Sequence, residues 1–266
     1  MKLLDNKAIQ IAIKNFKDKI RHWQYVFFSL VLPIMFTIMF YFMLGTEELP
    51  SGKTAFDYGF PGMITYATAI GTMNAAIMFA GERSSGMLSR LDTMPTGRKN
   101  MFLGALISES IFLSLQIIIM FVIGYAILGL YFESPLALLF GFLIAVLFGI
   151  SSVGLGIIIA SMSKTVEIAN AFSLLFFMVI IFLSGSLMPF DSPIVYFTPP
   201  FWAKQVYLQI VVMGHGLGEN LYSSSLIGSS AEVIPISLLG GLLIVVAYTI
   251  VFIIIGIIIF QKKTKF

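Results

Sequence analysis

A glycine, a lysine and a threonine in a row can cradle a phosphate, and residues 47–54 read Glu-Glu-Leu-Pro-Ser-Gly-Lys-Thr. A phosphate-binding loop spaces a leading glycine five residues ahead of its Gly-Lys-Ser/Thr, so that backbone N–H groups turn toward the anion. Gly52, Lys53 and Thr54 fit the end of that pattern, but Glu47 stands where the leading glycine belongs and its carboxylate repels phosphate. The stretch reads instead as a short polar turn introduced by Pro50 and Gly52. Metal chemistry requires clustered histidines, thiolates or carboxylates. The chain has only His22 and His215, no cysteine and no His-Glu-x-x-His, so no metal site is expected. Serines are plentiful, but none sits in a Gly-x-Ser-x-Gly elbow with an acid and base to serve it, so no catalytic residue is expected either.

Two further groups can do work. Glu109, in Leu-Ile-Ser-Glu-Ser-Ile-Phe, is a carboxylate near the start of a long apolar run, where a charge is expensive and marks either a transport path or a partner on a neighbouring helix. Glu82 and Arg83 open the stretch 81–100, which mixes both signs of charge with Met87, Leu88, Leu91 and Met94 at helical spacing. That stretch predicts a short amphipathic helix, stopped near Pro95 and Gly97, with Glu82, Arg83, Arg90 and Asp92 free for a partner.

The elements that position these groups follow from composition. Of 266 residues, 58% are hydrophobic and 11% charged, far fewer charges than the quarter usual in a soluble domain. Charge-free runs at 25–44, 58–80, 110–132, 136–163, 168–188 and 233–260 each reach the length needed to cross a bilayer. They do not alternate as barrel strands do. The fold class expected is therefore an all-α integral membrane protein, one transmembrane domain over 1–266, with spans at 25–44, 58–80, 104–132, 136–163, 168–188 and 233–260. All of the 16 lysines and arginines except Lys53 and Lys204 fall before span one, after spans two and four, or at the end, which places both termini in the cytoplasm, and the membrane expected is the plasma membrane. The Gly-Lys-Thr turn then faces outside, away from cytosolic nucleotide. No small-residue cleavage site follows the charged N-terminus, so the first span reads as an uncleaved anchor.

Residues 1–24 place Ile9, Ile13, Phe16, Ile20 and Trp23 at spacings of four and three among basic residues, the pattern of an interfacial helix. Pro33 frees a backbone carbonyl within span one and is expected to kink it. The connector 189–232 is long, carries four prolines and holds the 14-residue stretch Gln-Val-Tyr-Leu-Gln-Ile-Val-Val-Met-Gly-His-Gly-Leu-Gly, too short to span. An external helical hairpin, partly re-entrant, is expected there, with Asp191, the prolines and Trp202 at headgroup level. Apart from Glu109 the spans hold no ionisable acid or base of the kind a secondary transporter uses to bind its coupling ion. Any energy for transport must then enter from the cytoplasmic side.

The run Phe-Asp-Tyr-Gly-Phe-Pro-Gly through Met-Pro-Thr-Gly-Arg resembles the membrane subunits of type-2 ABC transporters, in which Pro-Gly opens span two and Glu-Arg closes it, followed by Gly, a Leu-rich helix, Pro and a basic residue. Pro61, Gly62, Glu82, Arg83, Gly86, Leu91, Pro95 and Arg98 occupy those places, and Gly154, Gly156, Ser184, Gly185 and Pro189 match spans four and five. The chain departs from the pattern at Met87, where the family often has Thr, and at Ala105, where a basic residue is common. The resemblance implies a non-catalytic permease subunit that pairs with a second permease copy and with cytosolic ATP-binding subunits. It binds no cofactor itself, ATP and Mg²⁺ residing in the partner, and no nucleic acid. Coupling to the ATPase would fall to Glu82, Arg83, Gly86, Leu88, Leu91, Pro95 and Arg98, with Glu109 a possible path residue. Substrate would pass along the seam between copies, lined by spans one, two and five. Pro-Pro-Phe-Trp-Ala-Lys-Gln-Val-Tyr looks more like exporters of drugs and lipids than those of polysaccharides, the alternatives being a polysaccharide or glycolipid permease or a stand-alone secondary transporter.

Overall fold

The helix richest in small side chains occupies the centre. Helix α3, Ala55–Ser84, is buried along most of its length and packs against nearly every other span. Glycine, alanine and threonine let neighbouring backbones approach it closely, which is how helices associate where lipid competes for large apolar side chains. A Cβ placed on Gly156 of the facing helix would run into the Thr72 carbonyl oxygen of α3. The start of α3 is a capping box. The Thr54 hydroxyl accepts from the Asp57 N–H at 3.1 Å, and Asp57 Oδ2 accepts from the Thr54 N–H at 2.7 Å. Gly52 turns the chain into it at φ +71, a conformation open to glycine.

In the computed structural model, residues 7–21, 23–45, 47–49, 52–85, 97–188, 192–223 and 232–263 are described. Helix α1 spans Lys7–Arg21 and α2 spans Trp23–Leu44. After α3 come α4, Gly97–Phe121, which runs into a π-helical turn at Val122–Ile127, then α5, Pro135–Met162, and α6, Val166–Leu183. A 3₁₀ turn at Pro193–Phe197 leads to α7, Pro199–Tyr207, and a second π turn at Leu208–Val212. Strands β1, Asn220–Ser223, and β2, Glu232–Ser237, pair antiparallel before α8, Leu238–Lys263.

Five helical stretches are long and apolar enough to cross a membrane: α3, Asn100–Ile127, α5, α6 and Leu238–Ile259. The span expected at 25–44 lies in α2, whose described apolar part, Ser29–Leu44, is shorter. Several expectations are corrected. The connector before the last span is not purely helical: 232–237 is a strand where a span was expected from 233, because Val233, Ile234 and Ile236 favour extended backbone and Pro235 is unsuited to a helix interior. The pairing slips between Asn220 and Leu221, close to that proline, as a two-stranded edge allows. The third span gives up regular α-helix at Phe121 rather than at 132. Trp202 is 4% exposed and donates its indole N–H to the Tyr196 carbonyl, so it packs inside the protein. Asp191 lies outside the described residues.

The interfacial helix at 1–24 is α1 over 7–21, docked on α4. Its contact face is small and polar, Ala8, Ala12, Asn15 and Lys19, while Ile13 and Ile20 of the apolar stripe stay exposed. Gly104 explains the choice of face. A Cβ there would sit 2.7 Å from the Ala8 carbonyl oxygen and 2.8 Å from Ile11 Cβ, so only glycine lets α1 lie this close to α4.

Candidate functional site

Charges collect where α1 crosses the end of α3 and the middle of α4. Lys14 Nζ lies 3.5 Å from Glu82 Oε1 and 3.5 Å from Asp18 Oδ2. Lys19 pairs with Glu109, both side chains buried, and its ammonium sits 5.1 Å from the centre of the Phe112 ring. Arg83 donates from Nη1 to the carbonyl of Ser163, the residue that caps α5, at 3.1 Å. Glu82 and Arg83 belong to the last turn of α3 itself, and both find partners within the chain, where they were expected to stand free. A glutamate and an arginine side by side on a helix point in different directions, so one reaches α1 and the other the end of α5. The effect is to fasten three elements at one end of the bundle.

The remaining expected coupling residues are placed unevenly. Arg98 lies in the first turn of α4, its side chain not described, whereas Gly86, Leu88, Leu91 and Pro95 lie outside the described residues. Glu109 is 0% exposed and answers Lys19 across the helix contact. Sequence reasoning did not identify that partner, although Lys19 shares a helical face with Ala8, Ala12 and Asn15, and a lysine on a small-residue face is the signal that a buried acid waits opposite.

A groove of about 390 Å³ opens between α2, α3 and α6. Ser29 and Leu32 of α2, Tyr66, Ile70, Met73 and Asn74 of α3, and Leu174, Phe177 and Met178 of α6 line it. Tyr66 stacks against Phe36 at 5.1 Å and Phe177 at 5.5 Å between ring centres, which fixes the aromatic wall. Asn74 is 4% exposed and its amide nitrogen has no hydrogen-bond partner among the described residues. The lining holds no acid, lysine or arginine, so it can accept an apolar body and offer the Asn74 amide, together with the Tyr66 and Ser29 hydroxyls, to polar atoms on it. Sequence reasoning missed Asn74, yet it is the one amide between residues 58 and 80.

At the opposite end of the bundle, Lys53 donates to the Val212 carbonyl and lies 4.8 Å from the centre of the Tyr131 ring. Together with the Thr54 cap this accounts for Gly-Lys-Thr without a nucleotide. Asp57 Oδ1 accepts from the Tyr131 N–H at 2.8 Å, and a cavity of about 470 Å³ lined by Tyr41, Glu48, Thr54 and Asp57 opens beside them. His215 lies 3.8 Å from Glu219, and no cluster able to hold a metal occurs among the described residues.

Comparison with known proteins bears on this arrangement. The sequence profile described as ABC-2 type transporter matches residues 7–212, which include α1, the fastened ends of α3 and α5, and all three walls of the groove. The chain is also similar to the probable multidrug ABC transporter permease YbhR of Escherichia coli strain K12, 29% identical over 160 residues, covering 56% of this chain and 43% of that protein. The same figures hold for the protein of that name from Escherichia coli O157:H7. The matched stretch thus spans less than half of each relative.

Proposed function

The chain belongs to the ABC-2 type transporter family, and on that footing we propose that it is the non-catalytic permease subunit of an ATP-driven exporter. The observation that carries the reading is the groove between α2, α3 and α6: an open apolar wall with one unengaged amide, in a bundle whose described buried acids are engaged, Glu109 by Lys19 and Asp57 by the Thr54 and Tyr131 N–H groups. Such a bundle can host an amphipathic molecule, and no acid, lysine or arginine lines its groove to take up a coupling ion there. Energy then comes from a cytosolic ATP-binding subunit, which supplies ATP and Mg²⁺.

In this reading six spans cross the plasma membrane with both termini cytoplasmic, α2 being the first, and a second copy closes the groove into a path. The segment from Glu82 and Arg83 through Gly86, Leu88, Leu91 and Pro95 to Arg98 meets the ATPase, and its motion reaches the bundle through the contacts of Glu82 with α1 and Arg83 with the end of α5. The substrate is a drug-like or lipid-like amphipathic molecule, in keeping with the neutral lining and with the multidrug permease name of the E. coli relatives. Differential binding between inward-open and outward-open states is what lets nucleotide drive it. The test is purification of the tagged chain from native membranes in mild detergent. Recovery of an ABC-type ATPase in one-to-one ratio supports the proposal. A chain that purifies alone and moves solute in vesicles without nucleotide overturns it.

A further inference from the structure

The end of α6 farthest from α1 is clasped from two sides. Ser184 caps the helix and Gly185 turns the chain at φ +65, leaving the Gly185 carbonyl at the negative end of the helix dipole. Lys204, in the middle of α7, donates its ammonium to that carbonyl at 2.6 Å, and its side chain is 4% exposed. On the other side the Ser186 carbonyl oxygen presses so closely on α3 that a Cβ on Gly62 would collide with it. The clasp sits about 12 Å along the helix axis from Phe177 of the groove.

An ammonium has three donors, and Lys204 uses one, on a neutral acceptor. Of the titratable groups on elements packed against α7, Asp57, Tyr58 and Tyr66 of α3, Tyr196 before it, Tyr222 of β1 and Tyr248 of α8 lie toward its end of the bundle, with His215 and Glu219 beyond the π turn, whereas Glu82 and Arg83 of α3 and Lys262 and Lys263 of α8 lie at the other ends of those helices; α5 presents none. Tyr207 of α7 pairs its hydroxyl with that of Tyr125 at 2.9 Å. Among the described residues no carboxylate pairs with Lys204, so its charge is buried with one dipole for company, an arrangement that favours exposure. Burial accordingly pulls the Lys204 pKa down from 10.5 to about 8.

We propose that Lys204 is a positioning residue that keeps the clasp releasable: its poorly solvated ammonium favours the open over the closed outer end of α6, so that the groove can discharge outward. The inference rests on the permease reading. The sign follows from linkage: a lysine whose closed-state pKa is depressed opposes closure while it is charged, and closure gains stability as pH rises from about 8 toward 10.5.

The 266 residues include no cysteine, so an introduced thiol is the single one among them, and its labelling is read on the chain after separation from its partners. In cells carrying the full chain with its native partners, Ser186→Cys is labelled from outside with a membrane-impermeant maleimide. Gly218→Cys, whose position has no neighbour within 4 Å, serves as the reference thiol, and His215→Gln is present throughout to remove the nearby imidazole. Normalised labelling of the thiol at position 186 should fall about tenfold between pH 7 and pH 9. Lys204→Met should label slowly at both pH values with an unchanged or higher thermal midpoint, and Lys204→Arg should label as fast as the unaltered lysine at pH 7 and stay fast at pH 9. Faster labelling or a lower midpoint in Lys204→Met, or a flat pH profile with lysine present, would make Lys204 an ordinary prop and overturn the proposal. A reference thiol at position 218 that never reacts from outside overturns the outer placement itself, and the permease topology with it.

Discussion

At the scale of single residues, the Lys19–Glu109 pair decides how a carboxylate survives near the base of a span. Each charge is buried, so removing one partner strands the other, a loss of about 3–5 kcal/mol. Glu109→Gln and Lys19→Met should therefore each lower the thermal midpoint of the detergent-purified protein, while the exchanged pair Lys19→Glu with Glu109→Lys recovers much of it. A path role for Glu109 predicts instead that transport stays lost in the exchanged variant even when stability returns. Glu82 differs because its lysine is over a third exposed. Glu82→Ala should cost less than about 1 kcal/mol of stability, yet uncouple transport from ATP hydrolysis in reconstituted vesicles. Normal coupled transport by that variant removes Glu82 from the coupling segment.

At the scale of elements, α1 is held by shape as much as by charge. Gly104 leaves no room for a side chain beneath Ala8 and Ile11, so Gly104→Val should push α1 off α4 and destabilise by about 1–3 kcal/mol. Limited proteolysis within residues 7–21 measures it, since a displaced helix is cut faster. The same reasoning separates the two ends of α3. Its start is legible as a turn but its capping box is not, because Thr54 and Asp57 gain meaning only once the helix start is known. Its end reads by periodicity as the start of a separate amphipathic helix and by family resemblance as the close of span two, and α3 does continue to Ser84. Local pattern does not reveal that the helix carries on until partners for Glu82 and Arg83 are in place on α1 and at the end of α5.

At the scale of the whole molecule, the groove is the property no single element holds. Asn74 and Tyr66 face it from α3, Leu32 from α2 and Phe177 from α6. Asn74→Leu fills the amide's place with an apolar side chain and satisfies nothing polar on a ligand, so it should weaken export of amphipathic dyes bearing a hydrogen-bond acceptor about tenfold while leaving purely apolar ones near their original rate. Efflux from reconstituted vesicles, compared across such a dye pair, checks it; equal loss for both classes would point to packing damage instead. Exposed apolar side chains on α6 and α8, among them Phe172, Leu175, Leu243 and Ile254, complete the surface that lipid or a second copy must cover.

That this chain lives in a bilayer follows from its residues alone, because runs of twenty residues without charge have no other stable solvent, and the order of its motifs is enough to show the family resemblance. The same reading locates Glu82, Arg83 and Glu109 as polar groups that an apolar bundle must account for. What those groups meet is a property of the packed helices. Partner choice depends on which helix faces lie within a few ångströms of one another, and those faces are set by glycines at 62, 104 and 156, whose influence is the absence of a side chain and leaves no periodic trace in the chain. For the same reason Lys19, Asn74 and Lys204 look like ordinary polar residues until burial sets Lys19 against a carboxylate and Lys204 against a carbonyl, and leaves the Asn74 amide nitrogen without a partner among the described residues.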